Sequence, residues 1–270
     1  MNNIQLIATD LDGTLLNANH QISEYNKSII KKASENGIKI ILSTGRPTAA
    51  ATKFLYDLDI DSELISFNGA MITDKTSNII YQQNLDANIG KELINIAKKY
   101  NIFHQGFLAD RWNMGFFDEK WVEFYVSIAK IDNYTIGFDN INDFSFSKFM
   151  FIGENNLLKE IAKEIDKTFG ERIYYTFSRP VYLEVHSPNA SKAKALEYLA
   201  NKYNITSNNI MAFGDNNNDL EMLEFAGVSV AVENAEDNVK NKCKYITKSN
   251  LEDGVGYFIN KYLNTQSNNN

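Results

Sequence analysis

The chain has 270 residues, a formal net charge of −7, 44% hydrophobic and 23% charged residues, the balance of a globular protein that can bury one large core or two modest ones. The acidic balance argues against general binding to nucleic acid or to an anionic membrane, since both need basic patches. Cys243 is the only cysteine, which excludes an intrachain disulfide and a cysteine-based zinc site and suits a reducing, cytoplasmic location.

The opening stretch MNNIQLIATD has no basic region and no long apolar segment, so it does not read as a signal peptide. No apolar run reaches the roughly 20 residues that a membrane helix needs. IQLIAT predicts a buried strand. Residues 22–35 carry Ile22, Ile29, Ile30 and Ala33 at helical spacing, with Gly37 placed to end the helix. IKIILST predicts a second buried strand, and Pro47 sits well for the first turn of the next helix. ELISFNGAMIT predicts a third strand broken by a turn at Asn68-Gly69. Near-continuous apolar strands alternating with helices indicate a parallel sheet covered on both faces.

From about residue 85 to 186 the pattern changes. FHQGFLADRWNMGFF and RIYYTFSRPVYLEVH each predict an aromatic-rich hairpin. Helices are predicted at NIGKELINIAKKY, EKWVEFYVSIAK and NLLKEIAKEIDKTF, and Trp112 and Trp121 are expected in the core of this region. About a hundred residues suffice for an independent α+β domain. The alternating pattern then resumes with SKAKALEYLANKY, NIMAFG, NDLEMLEFA, VSVAV, AEDNVKNK, KYIT and GVGYFINKYL. The expected organisation is an α/β core at 1–84 and 187–264 and an inserted α+β domain at 85–186. A polar tail at 265–270 is expected to be disordered.

Four short stretches fall at the C-terminal ends of core strands: DLDGT (10–14), STGR (43–46), SK (191–192) and GDNNND (214–219). Ligands bind at that edge of an open parallel sheet, where following helix N-termini also attract anions. Asp10, Asp12, Asp215 and Asp219 in one pocket cannot all stay ionised without counter-charge. A hard divalent ion with oxygen ligands resolves this, and magnesium fits best because it binds a few carboxylates and accepts a phosphate oxygen. Alone, Asp-x-Asp-Gly reads as a turn; GDNNND lacks the alternation of a calcium loop. His20, His104 and His186 are scattered and read as structural or exposed, with His186 close to a hinge, and Cys243 reads as a small buried residue.

DLDGTLL, STGR, FNGA, a lysine and GDNNND in this order resemble the haloacid dehalogenase (HAD) superfamily of phosphatases, specifically the Cof-like group with a large C2-type cap. The resemblance covers the chain apart from its tail and implies a Rossmann-like parallel-sheet core with an inserted α+β cap domain. It implies that Asp10 is the nucleophile, forming an aspartyl-phosphate, and Asp12 the general acid and base. Magnesium would be held by the Asp10 side chain, the Asp12 main-chain oxygen and Asp215, with Asp219 behind them orienting the lysine or a metal-bound water. Thr44, Gly45, Lys192 and Asn218 would hold the phosphate. Lys192 is followed by Ala193 where the family often has glycine, and Lys194 is a rival for its role. Arg46 and Arg179 are candidate contacts to substrate or cap. The implied substrate is a small phosphorylated metabolite, a sugar phosphate first and pyridoxal phosphate or a nucleotide next. The implied protein is a monomer or weak homodimer, hinged near residues 82–86 and 186–190. A phosphosugar mutase and a receiver-like phospho-accepting domain are the alternatives.

Overall fold

The computed structural model describes residues 3–129 and 131–267. The chain opens with β1 (Leu6–Asp10), all five residues of which are buried. α1 (Glu24–Glu35) is capped by Ser23 Oγ, which accepts from Asn26 N at 3.0 Å, and turns Ile29, Ile30 and Ala33 inward. β2 (Lys39–Ser43), α2 (Thr48–Leu58), β3 (Leu64–Ser66), β4 (Met71–Thr73) and β5 (Ile79–Gln82) follow. The middle of the chain forms α3 (Ala87–Lys99), β6 (Phe103–Leu108), β7 (Arg111–Met114), α4 (Glu119–Ala129), β8 (Tyr134–Ile136), β9 (Lys148–Ile152), α5 (Asn155–Phe169), β10 (Tyr174–Arg179) and β11 (Tyr182–His186). Last come α6 (Lys192–Lys202), β12 (Ile210–Gly214), α7 (Leu220–Phe225), β13 (Val228–Ala231), α8 (Asp237–Lys242), β14 (Tyr245–Ile246) and α9 (Gly254–Ser267). The described residues up to Ile80 and from Ser191 onward make one compact unit, and Tyr81–Ala190 the other.

The first unit is built on one sheet of order β14-β13-β12-β1-β2-β3-β4-β5. From β14 to β3 every neighbouring pair is parallel, and the β3–β4 hairpin is antiparallel. Successive strands step outward from β1 to β5 on one side. The chain then returns at β12 on the other side of β1. Loops leaving the carboxyl ends of β1 and β12 therefore part in opposite directions and open a crevice between them. Ile7, Leu42, Phe54, Met211, Phe213 and Ile259 belong to the apolar core of this unit.

The second unit has a six-stranded sheet of order β10-β11-β9-β6-β7-β8. Phe149, Phe151, Leu183 and Val185 join Leu93, Ile94, Leu158, Ile161 and Ile165 of α3 and α5 in one apolar cluster. Side chains alternate along a strand, so Lys148, Met150, Tyr182 and Glu184 take the opposite face. Trp112 is buried, and its Nε1 donates to Gln105 Oε1 at 2.9 Å.

Three features depart from the sequence reading. Both expected hairpins form, β6–β7 and β10–β11, but β9, a strand the sequence reading did not include, runs between them in antiparallel register with β6 and β11. β8 extends the sheet by pairing parallel with β7. The tail expected to be disordered from residue 265 is instead helical through Ser267. The cause is upstream: Val255, Phe258, Ile259, Tyr262 and Leu263 are buried, and a helix fixed by that stripe adds hydrogen-bonded residues at little cost. Residues 268–270 lie outside the described residues.

Candidate active site

β1 ends on Asp10, which is 5% exposed. Its Oδ1 accepts from Lys192 Nζ at 2.6 Å, and the same ammonium donates to Asp219 Oδ1, also at 2.6 Å. Lys192 reaches this position because Ser191 caps α6, its Oγ accepting from Lys194 N at 3.2 Å, and makes Lys192 the first residue of the helix. Asp219 is fully committed: its Oδ2 accepts from the main-chain N–H of Asp215 at 3.0 Å and of Asn216 at 3.2 Å. Asp215 Oδ1 accepts from the Thr14 hydroxyl at 2.8 Å. Thr14, fully buried, is a site residue that the sequence reading passed over, although it lies inside the DLDGT stretch.

Asp10, Asp215 and Asp219 offer carboxylate oxygens that all lie within 4.8 Å of one another. Three carboxylates face one ammonium, an excess of two negative charges. Burial pushes the Asp10 carboxyl well above its ordinary range; Lys192 pulls against this, and the charges of Asp219 and Asp215 add to the rise. Burial and then the Asp219 charge push Asp215 up to about 6. Burial works against the ammonium of Lys192, but Asp10 and Asp219 more than offset it and hold it protonated. Asp10 Oδ2 and Asp215 Oδ2 have no hydrogen-bond partner among the described residues. An all-oxygen donor set with uncompensated charge fits a hard divalent cation. Asp219 has both oxygens already engaged, Oδ1 by Lys192 and Oδ2 by two main-chain N–H groups.

Asp12 is placed differently. Arg46 grips it in a fork, Nε to Oδ2 at 2.6 Å and Nη2 to Oδ1 at 2.5 Å. His20 Nδ1 stands 3.4 Å from Asp12 Oδ1. Burial opposes ionisation of Asp12, but the bond and charge of Arg46, with help from His20, bring its carboxyl below the ordinary range. His20 is thus not simply a scattered histidine. Nothing in the sequence pairs it with a residue eight positions earlier; a left-handed backbone, φ +54°, turns it back.

Thr44 is buried, and its Oγ1 accepts from Arg46 N at 3.1 Å. Asn218 Nδ2 donates to Asn68 Oδ1 at 3.0 Å, tying the fourth stretch to the turn of FNGA. A Cβ on Gly45 would come 2.8 Å from that same Asn68 oxygen. Gly69 has φ +95°, and a Cβ there would overlap the Ser191 carbonyl and sit 2.8 Å from Lys192 N. The glycine lets this turn press against the start of α6, which is why an Asn-Gly turn belongs to the site. Asn68 is the second residue the sequence reading left out of its site. Lys194 is exposed on α6. Arg179 is exposed at the end of β10 in the second unit, and the cluster described here does not include it.

A family model described as haloacid dehalogenase-like hydrolase matches residues 7–259. The chain belongs to the haloacid dehalogenase-like hydrolases. This hydrolase is 32% identical over 261 residues to 5-amino-6-(5-phospho-D-ribitylamino)uracil phosphatase YcsE of Bacillus subtilis (strain 168), with 96% of each chain covered. It is 32% identical over 286 residues to the phosphatase YwtE, which has the same activity name and organism, covering 97% of this chain and 99% of the relative. The crystal structure of a haloacid dehalogenase-like hydrolase from Bacteroides thetaiotaomicron matches with a TM-score of 0.85 at 28% identity, covering 96% of this chain and 99% of the other. As a member of this family the haloacid dehalogenase-like chain is an enzyme, and the acidic cluster described above lies where β1 and β12 end.

Proposed function

We propose that this hydrolase is a cytoplasmic, magnesium-dependent phosphatase of small phosphorylated metabolites, sugar phosphates foremost, working through an aspartyl-phosphate. The observation that carries the reading is Lys192 Nζ, 2.6 Å from both Asp10 and Asp219, beside the Asp215 carboxylate. A phosphoryl group entering there would meet a nucleophile, an ammonium and backbone amides, the requirements of in-line transfer. The curated relatives support the substrate class, since their named substrate carries its phosphate on a sugar-alcohol chain.

In this reading Asp10 attacks phosphorus through the oxygen not bound to Lys192. The new oxygen–phosphorus bond forms as the ester bond breaks, and its electron pair leaves on the alcohol oxygen, which takes a proton from Asp12. Asp12, now a carboxylate, later removes a proton from water; the hydroxide attacks phosphorus, and Asp10 leaves as a carboxylate. Lys192 and Thr44 bind the equatorial oxygens, with Gly45 and Asn218 completing the phosphate pocket. Magnesium, held by the Asp10 side chain, the Asp12 main-chain oxygen and Asp215, would neutralise phosphoryl charge.

The test is a panel of phosphorylated metabolites given to the purified protein with magnesium, ranked by kcat/KM. Phosphate release that chelation removes and magnesium restores, and that Asp10→Asn abolishes in a folded protein, is the expected result. Release that persists in Asp10→Asn, or that only zinc restores, would overturn the reading.

A further inference from the structure

The fork between Arg46 and Asp12 is an asymmetric pair. The Arg46 side chain is 12% exposed and that of Asp12 is 42% exposed. Arg46 is fixed from several sides: its guanidinium carbon lies 5.4 Å from the centre of the Phe54 ring, its N–H donates to Thr44 Oγ1 at 3.1 Å, and its carbonyl accepts from Phe67 N at 3.0 Å. Asp12, by contrast, sits on the loop after β1, where among the described residues the fork and His20 alone contact its carboxylate. A planar guanidinium with two parallel bonds fixes both the position and the plane of its partner, which an ammonium cannot do. His20 closes the open side. Its Nδ1 is 3.4 Å from Arg46 Nη2, on a tight loop in which Asn17 Oδ1 accepts from Asn19 N at 2.9 Å and Gln21 N at 3.2 Å.

We infer that Arg46 is a positioning residue for proton transfer to the leaving group, aiming Asp12, rather than a contact to the substrate phosphate or the second unit. The inference rests on the phosphatase reading given above. If Arg46 aims the proton donor, its loss matters most where the departing oxygen depends on being protonated. An ester of phenol needs the proton; an ester of 4-nitrophenol leaves almost without it. The ratio of kcat/KM for these two substrates therefore measures the aim of Asp12. It covers the steps up to departure of the alcohol, and it is independent of how much of a preparation is folded.

Arg46→Lys is expected to lower kcat/KM for phenyl phosphate by about 100-fold, the scale of a misplaced catalytic group. For 4-nitrophenyl phosphate the loss should be only about threefold, because little proton assistance is needed there. Asp12→Asn should show the same skew, and the double variant Asp12→Asn/Arg46→Lys should be no more skewed than Asp12→Asn alone. An equal loss on both esters would assign Arg46 to phosphate binding and overturn the inference. So would a double variant whose skew is the product of the two single ones. If the unaltered protein hydrolyses neither ester nor any phosphorylated metabolite, the phosphatase reading itself fails and this inference falls with it.

Discussion

Lys192 Nζ lies 2.6 Å from Asp219 Oδ1, and both side chains are completely shielded from solvent. A charge pair buried this deeply is costly to halve, because the partner left behind stays desolvated. Lys192→Met would leave Asp10, Asp215 and Asp219 together with no cation. Without divalent ions at pH 7.5, urea denaturation should show a loss of about 3–5 kcal/mol. The loss should shrink toward pH 5, where Asp10 and Asp215, both raised above their ordinary range, accept protons in the folded state. Added magnesium should recover part of the stability while activity stays absent. A pH-independent loss would mean that the carboxylates do not share one field.

Asp215 permits a cleaner test of the proposed cation. Its folded value of about 6 stands above the ordinary aspartate value of 3.8. The folded state therefore binds the proton more tightly than the unfolded chain, and ionised Asp215 costs stability. That cost is absent below about pH 4, grows through the window up to 6, and is complete above it. In metal-free protein at pH 7.5, Asp215→Asn should stabilise the fold by on the order of 1–3 kcal/mol, with little effect at pH 4. Millimolar magnesium should raise the Tm of the unaltered protein but not of the variant. Stabilisation of both by magnesium would place the ion elsewhere.

Gly69 joins the fold to the chemistry. A methyl group there meets the backbone of Ser191 and Lys192, neither of which is a flexible side chain that can give way. Gly69→Ala should therefore shift the start of α6, lower the Tm, and reduce kcat more than KM by moving the Lys192 ammonium. Gly37→Ala is the control, since Gly37 has φ +83° but nothing within 4 Å of the added carbon. It carries only the left-handed penalty, about 1–2 kcal/mol, and should leave kcat unchanged. Equal effects from both variants would remove the steric argument.

The parallel core was legible because β1 and β12, each buried along its whole length, leave no polar face to misread. The aspartates of DLDGT and GDNNND were legible because like charges at a strand end need a reason to be there. What the sequence hid were the partners across distance. Thr14 bonds to Asp215 over 201 positions, Asn68 to Asn218 over 150, and Arg46 forks onto Asp12 from 34 away. Such pairs follow from sheet order, which no local pattern encodes. β9, KFMFI, was missed for another reason. It is a short apolar run with no turn dipeptide beside it, and its strand character comes from two long-range neighbours, β6 and β11. The end of α9 was misread because composition was judged without the buried stripe that precedes it.

The second unit offers a stability test of its own. Glu184 is 6% exposed, receives the Ser178 hydroxyl at 2.7 Å, and has Lys148 Nζ and His186 Nε2 each at 3.4 Å. Burial raises its pKa, but the Lys148 charge, His186 and Ser178 together overcome this and bring the folded value down to about 2. The folded state thus binds the proton less tightly than the unfolded chain. The stabilisation is complete above the ordinary glutamate value of 4.5 and disappears as pH falls through about 2. On the scale of that shift it is on the order of 3 kcal/mol. Trp112 and Trp121, the chain's two tryptophans, both lie in this unit, so their fluorescence follows its unfolding separately from the first unit. Urea titrations read this way should show Glu184→Gln less stable than the unaltered chain at pH 6. The gap should narrow steadily between pH 4.5 and 2.5. A gap that stays constant across that range would mean that the variant loses packing and hydrogen bonds rather than charge, and that the Lys148–Glu184 pair contributes nothing through its ionisation.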